Sequence, residues 1–260
     1  MAIRAVKTPI GVYEISYLMS GDAAATKIVV LHGWGASKEL MKNAFSRYLG
    51  DFRALYPDLP GFGASKNDRA LTTQDYAQII AALLSELDFA PSAIMGHSFG
   101  GKIAALLDPP LLVLLSSAGI PKPKSLAVRL KIALAKRFRR FGAIGLRDRL
   151  RAKDARGMSE NMYKTFKLVV DEDFSAEFAK RDKPTLIFWG KDDRATPLKG
   201  GERISALIKN SVFTPMEGDH FFFAANAEMI VKAVAERLAT DRLVAERLDA
   251  NRLAAKDAND

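Results

Sequence analysis

Ala93-Ile94-Met95-Gly96-His97-Ser98-Phe99-Gly100-Gly101 is the stretch that decides the fold. An apolar run of strand composition breaks at a glycine, a serine stands two residues on, and glycines follow where a helix would begin. The pattern is G-x-S-x-G. A serine lifted clear of a sheet on a tight strand-to-helix turn needs neighbours without Cβ atoms, because strand, turn and helix backbones crowd one another there. The same turn points the Phe99 backbone N–H outward at the positive end of the new helix, where developing negative charge is stabilised. A phosphate-loop pattern overlaps it, from Gly96 to Gly101-Lys102, but Ile103 stands where that loop needs a Mg²⁺-holding Ser or Thr. The strand-turn-helix reading is preferred.

Outward from this turn, short apolar runs alternate with helical patterns. The runs are Lys27–Leu31, Phe52–Tyr56, Ser92–Met95, Leu111–Ser116, Thr185–Trp189 and Val212–Pro215. Thr72-Thr73-Gln74-Asp75 has the spacing of a capping box and predicts a helix with Tyr76, Ile79, Ile80, Leu83, Leu84 and Leu87 on one face, stopped before Pro91. Met1–Ser20 alternates apolar and polar residues and reads as a β-hairpin. Strand–helix–strand alternation predicts an α/β fold, a mostly parallel sheet with helices on both faces. Ligands in such sheets bind past the carboxyl ends of the strands. The residues just after each run are therefore the ones to inspect.

The chain has three histidines, and each stands beside the end of a predicted strand. That leaves no surplus histidine for a metal cluster. Serine is a weak nucleophile until a base takes its proton, and the base needs a carboxylate to fix its tautomer. His220, in Gly218-Asp219-His220-Phe221 after the last strand, is the candidate base. Asp193, in Gly190-Lys191-Asp192-Asp193 after the strand before it, is the candidate carboxylate, with Asp192 and Asp219 as competitors. Leu31-His32-Gly33-Trp34-Gly35 follows an early strand and offers the Trp34 N–H as a second oxyanion donor beside that of Phe99. His32 and His97 read as structural histidines hydrogen-bonded beneath the site. His32, Gly33 and Phe221 are also expected along the substrate pocket.

Taken together, Leu31–Gly35, Pro57-Asp58-Leu59-Pro60-Gly61-Phe62-Gly63-Ala64-Ser65, Gly96–Gly101, Gly190–Asp193 with Pro197, and Gly218-Asp219-His220 resemble the α/β-hydrolase superfamily, in its order, over about residues 10–235. The resemblance implies an α/β-hydrolase fold with an inserted helical cap and a Ser98-Asp193-His220 triad, the acid being the fourth position of G-x-x-D-x-x-x-P. It implies a serine esterase acting on a small-molecule acyl substrate without a cofactor. Within the superfamily the pattern also resembles the meta-cleavage carbon–carbon bond hydrolases, although His97 and Phe221 replace their usual Asn and Trp. Cleavage of a vinylogous diketone acid is thus the alternative activity.

The chain's 260 residues allow one α/β domain with an insertion. There is no cysteine, which excludes a disulfide scaffold, a thiolate nucleophile and Cys-ligated metal sites and fits a cytoplasmic protein. The formal charge is +9, yet thirteen Lys/Arg against two Asp between residues 121 and 156 supply a local +11. A basic insert, rather than a basic protein, argues against nucleic acid as a partner. Its apolar positions Leu126, Leu130, Ala133, Leu134, Phe138 and Phe141 have helical spacing. A cap closing on an acyl pocket accounts for that amphipathic pattern better than contact with an anionic membrane surface or a phosphate ligand. The expected organisation is a core of residues 1–120 and 183–239, a helical cap over 121–182, and a polar tail, 240–260, either an extended helix or disordered. Leucines five apart in that tail step ~140° around a helix and form no single stripe.

Overall fold

The computed structural model describes residues 1–121 and 158–257. The basic run, with the expected helical face from Leu126 to Phe141, lies outside the described residues. The amino-terminal alternation forms a hairpin of β1 (Ala2–Thr8) and β2 (Gly11–Ser20), closed by pairing of Thr8 with Gly11. β3 (Thr26–Leu31), β4 (Phe52–Pro57), β5 (Ala93–His97), β6 (Leu111–Leu115), β7 (Thr185–Gly190) and β8 (Ser211–Met216) follow. The eight strands form one sheet in the order β1-β2-β4-β3-β5-β6-β7-β8. β2 meets both β1 and β4 antiparallel, and β4 through β8 run parallel in that order. This is the α/β-hydrolase fold.

Seven described helices connect the strands. They are α1 (Lys38–Phe45), α2 (Thr73–Glu86), α3 (Phe99–Leu106), α4 (Glu160–Val169), α5 (Ser175–Lys180), α6 (Leu198–Leu207) and α7 (Phe223–Asp257). Helix α2 starts where the capping box predicts: the Thr72 hydroxyl accepts from the Asp75 N–H while the Asp75 carboxylate accepts from the Thr72 N–H. Such caps contribute about 1 kcal/mol. Tyr76, Ile79, Ile80, Leu83 and Leu84 are buried as that face requires.

The strand period of two divides the core. Val29, Leu31, Ile94, Leu112 and Leu114 face one layer with α2 and α3, whereas Ile28, Val30, Met95, Val113 and Leu115 face the other with α1 and α7. Buried on both faces, the central strands bring their carboxyl ends to a common edge. Only eight residues of α3 separate Ser98 from the turn into β6, so the elbow helix is short, as the nine residues Lys102–Pro110 before β6 require. Helix α7 runs 35 residues, through the polar tail to Asp257. Its pairs Arg237–Asp241 and Arg242–Glu246 have i,i+4 spacing. Among the described residues, no helix is long and apolar enough to cross a membrane.

Candidate active site

Ser98 sits at φ +50°, ψ −113°, between the last residue of β5 and the first of α3. A non-glycine residue held at positive φ stores strain that only its surroundings can impose. Those surroundings are glycine. A Cβ on Gly96 would lie 2.4 Å from the Gly100 carbonyl oxygen, and one on Gly100 would lie 2.6 Å from the His32 oxygen. The strand, the helix and the loop after β3 approach so closely that no side chain fits between them.

Asp193 is buried in the turn after β7, with every lone-pair direction occupied. Its Oδ1 accepts from the N–H groups of Ala195 and Thr196, both at 2.8 Å. Its Oδ2 accepts from the Thr196 hydroxyl at 2.8 Å and from His220 Nδ1 at 2.7 Å. Burial alone would raise its pKa, but the hydrogen bonds from His220 and Thr196 outweigh burial and hold it down to about 2. Asp193 is thus a carboxylate that fixes the imidazole with Nδ1 protonated. Asp192 and Asp219 are exposed and take no part in this contact; Asp219 Oδ1 instead accepts the Phe221 N–H at 2.8 Å.

His220 and Ser98 border one cavity of about 750 Å³. Among the described residues, the His220 side chain bonds Asp193 and Thr196 and not Ser98. Nucleophile–base contacts commonly tighten only when substrate is bound. Trp34 and Phe99 border the same cavity. The Phe99 N–H belongs to the first turn of α3 and so has no carbonyl partner within the helix. Trp34 occupies a tight turn closed by the Ala36 N–H on the Gly33 oxygen, with Gly35 supplying the φ of +74° at its third position.

One wall of the cavity is aromatic, while Ser98, Lys102, Thr196 and His220 are polar members of its lining. The Trp34 ring meets Phe62 at 4.9 Å, Phe166 at 5.4 Å and Phe99 at 5.6 Å between centroids. Met162, Phe166 and Val169 of α4 close the opposite side. The expected pocket residues are placed differently: none of His32, Gly33 and Phe221 lines this cavity. His32 is fully buried, its Nε2 accepting the Leu59 N–H at 3.0 Å and its Nδ1 lying 2.7 Å from the Gly33 oxygen, and burial lowers its pKa to about 4. Gly33 backs onto His97 and Ser98, where a Cβ would come within 2.8 Å and 3.1 Å. The Phe221 ring lies 5.5 Å from that of His220 and is half exposed.

Lys102, which makes the phosphate-loop resemblance, is buried and turned toward α4 and the segment after it. Its Nζ donates to the Val169 oxygen at 2.6 Å and to Glu172 at 2.9 Å. Burial lowers its pKa and the Glu172 carboxylate partly restores it. The lysine that a phosphate loop would spend on an anion is spent here on the protein. Among the described residues, no cluster of His, Asp and Glu could hold a metal ion.

Sequence reasoning did not single out Thr196, Met162 or Phe166. Thr196 carries a local signal: Asp193 accepting N–H groups two and three residues on is an Asx-type turn, written in the Asp-x-x-Thr-Pro spacing. Met162 and Phe166 carry none, since their helix is more than sixty residues along the chain from Ser98.

This fold and turn geometry belong to one class. The alpha/beta hydrolase family profile matches residues 28–233, and the chain belongs to that family. It is 25% identical over 241 residues, covering 80% of this chain and 88% of its relative, to the hydrolase YugF of Bacillus subtilis (strain 168). It is 26% identical over 243 residues, 82% of this chain and 94% of the other, to a pimeloyl-[acyl-carrier protein] methyl ester esterase of Chromobacterium violaceum. Among solved structures, a thermophilic esterase from Thermogutta terrifontis superposes with a TM-score of 0.68 at 20% identity, over 92% of this chain and 99% of that one.

Proposed function

We propose that the protein is a serine hydrolase of carboxylic esters with an apolar acyl group. The carrying observation is that the strained Ser98 and the Asp193-tethered His220 border one cavity with an aromatic wall. In this reading Ser98 Oγ attacks the ester carbonyl carbon and passes its proton to His220 Nε2. The N–H groups of Trp34 and Phe99 receive the oxyanion. Collapse breaks the carbon–oxygen bond, and the leaving alkoxide takes the proton from His220. Water, deprotonated in turn by His220, adds to the acyl-enzyme, and the acid departs as Ser98 recovers its proton. Asp193 keeps its charge throughout and stabilises the imidazolium. The relatives named as esterases support this reading.

The aromatic wall and α4 fit an acyl chain rather than a charged one, since an unpaired charge would be desolvated there. Residues 121–182 are read as the cap, with α4 and α5 its described part. The test is fluorophosphonate labelling mapped by peptide mass, beside a panel of p-nitrophenyl esters and one ring-fission dienoic acid. Label on Ser98 with turnover of medium-chain esters is expected. Label on Ser116 or Ser117, or none, overturns the nucleophile; turnover of the dienoic acid alone replaces ester cleavage by carbon–carbon cleavage.

A further inference from the structure

His97 takes no part in the proton relay, yet it touches the segments that carry Ser98, Trp34 and His220. It precedes Ser98 in the chain. Its Nε2 lies 2.9 Å from the His220 carbonyl oxygen. A Cβ on Gly33, in the loop that carries Trp34, would come within 2.8 Å of its Nδ1. Its ring is 4.6 Å from that of His220 and 4.8 Å from that of Phe223, and the residue is 1% exposed.

A carbonyl can only accept, so the Nε2 must carry the proton and Nδ1 is a bare lone pair. That lone pair is buried and has no partner among the described residues. A ring kept for packing alone would not desolvate a nitrogen to no end, because a phenyl fills the space without that cost. The useful part of the side chain is therefore the Nε2–H. The loop it grips joins β8 to α7. Asn226 secures both ends of that loop, donating to the Glu217 oxygen at 3.1 Å and the Phe222 oxygen at 2.7 Å. His97 secures the middle.

We propose that His97 is a positioning residue whose Nε2–H holds the His220 main chain and so sets the approach of the His220 imidazole to Ser98. This rests on the Ser98–His220–Asp193 reading. Burial, with the neighbouring His220 adding to it, keeps the His97 pKa at about 3, so the adjoining ring is neutral whenever His220 takes up a proton.

The experiment compares His97→Phe, which keeps a ring but no donor, with His97→Gln, whose Nε2 can reach the same carbonyl. Melting temperature, kcat and KM on the best p-nitrophenyl ester, and the rate of fluorophosphonate labelling of Ser98 are measured on the full chain. His97→Phe is expected to lose about 10- to 100-fold in kcat and in labelling rate, with KM within about 2-fold. His97→Gln recovers most of that loss. If His97→Phe does not fold, His97→Asn, whose amide is too short to reach, takes its place with the same expectation. Labelling of His97→Phe at the wild-type rate, or equal losses in the Gln and Phe variants, overturns the role of His97 alone. Absence of Ser98 labelling in the wild type overturns the hydrolase reading instead.

Discussion

Asp58 and Asp193 occupy matching places, each just past the carboxyl end of a parallel strand, each buried and each surrounded by donors. Asp58 accepts from the Lys38 N–H and the Ala64 N–H, both at 2.8 Å, and from the Lys38 ammonium. It thereby caps α1 from across the fold and pins the loop to Ser65; a Cβ on Gly63 would collide with it. Asp193 has an equally full set of donors, but one of them is an imidazole. The partners make the difference. Burial would lower the Lys38 pKa, but its hydrogen bonds to the Asp58 and Glu39 carboxylates outweigh burial and raise the pKa, so the ammonium, 1% exposed, stays charged. His220 is 17% exposed and borders the cavity, so a proton can pass through it. One carboxylate cradle serves structure, and in the proposed relay the other serves chemistry, according to what stands across from it.

The largest effect expected is that of Asp193→Asn. It should lower ester kcat by about 10⁴-fold in a protein that still folds and melts cooperatively. Retention of a tenth of the activity would erase the distinction from Asp58. Conversely, Asp58→Asn leaves a buried ammonium with only the half-exposed Glu39 as counter-charge and should cost about 3 kcal/mol, a fall of roughly 10 °C in melting temperature. Turnover per folded molecule should stay near wild type. Lost kcat at an unchanged melting temperature would invert the comparison.

Acid adds a third contrast. His32 and His97 are held neutral with pKa values of about 4 and about 3, against 6.5 in an unfolded chain. The unfolded state then binds more protons below pH 6.5, so stability falls as pH falls, by about 3–4 kcal/mol between pH 7 and pH 5. The depressed carboxylate of Asp193 works lower: its contribution is complete above pH 3.8 and is lost as pH drops toward about 2. Urea melts across this range, with His97→Gln removing about half of the pH 7-to-5 loss, check the assignment; a flat profile defeats it. The smallest effect is Thr196→Val, which strips one donor from Asp193 Oδ2 and should reduce kcat about 10-fold, or about 1.4 kcal/mol, with KM unchanged. No change in kcat would mean that the two backbone N–H groups and His220 hold the carboxylate without the hydroxyl.

The parts legible in the sequence are those whose physics is local. Gly96 and Gly100 flank a turn that no other residue permits, Thr72 and Asp75 satisfy one another's backbone, and Asp193 and His220 each follow a strand end. Where signals stop being local, reading stops as well. His32, Gly33 and Phe221 stand beside the motifs in the chain but behind or outside the cavity, because neighbours along a strand or turn point to opposite sides. Met162 and Phe166 reach the wall only through the packing of α4. The grip of His97 on the His220 carbonyl joins residues 123 positions apart. The five-residue leucine period predicts no apolar stripe in the tail, but the lack of a stripe does not end a helix whose residues favour helix and pair at i,i+4.

The last helix sets how the molecule moves through water. Among the described side chains its final buried core residue is Val234, and nineteen of its residues lie beyond Leu238, a rod of roughly 28 Å at 1.5 Å per residue. Hydrodynamic drag on such a spar makes tumbling anisotropic. Gel filtration should therefore overstate the mass of the 28.5 kDa chain, and truncation after Ala239 should lower the apparent radius by more than the lost mass accounts for.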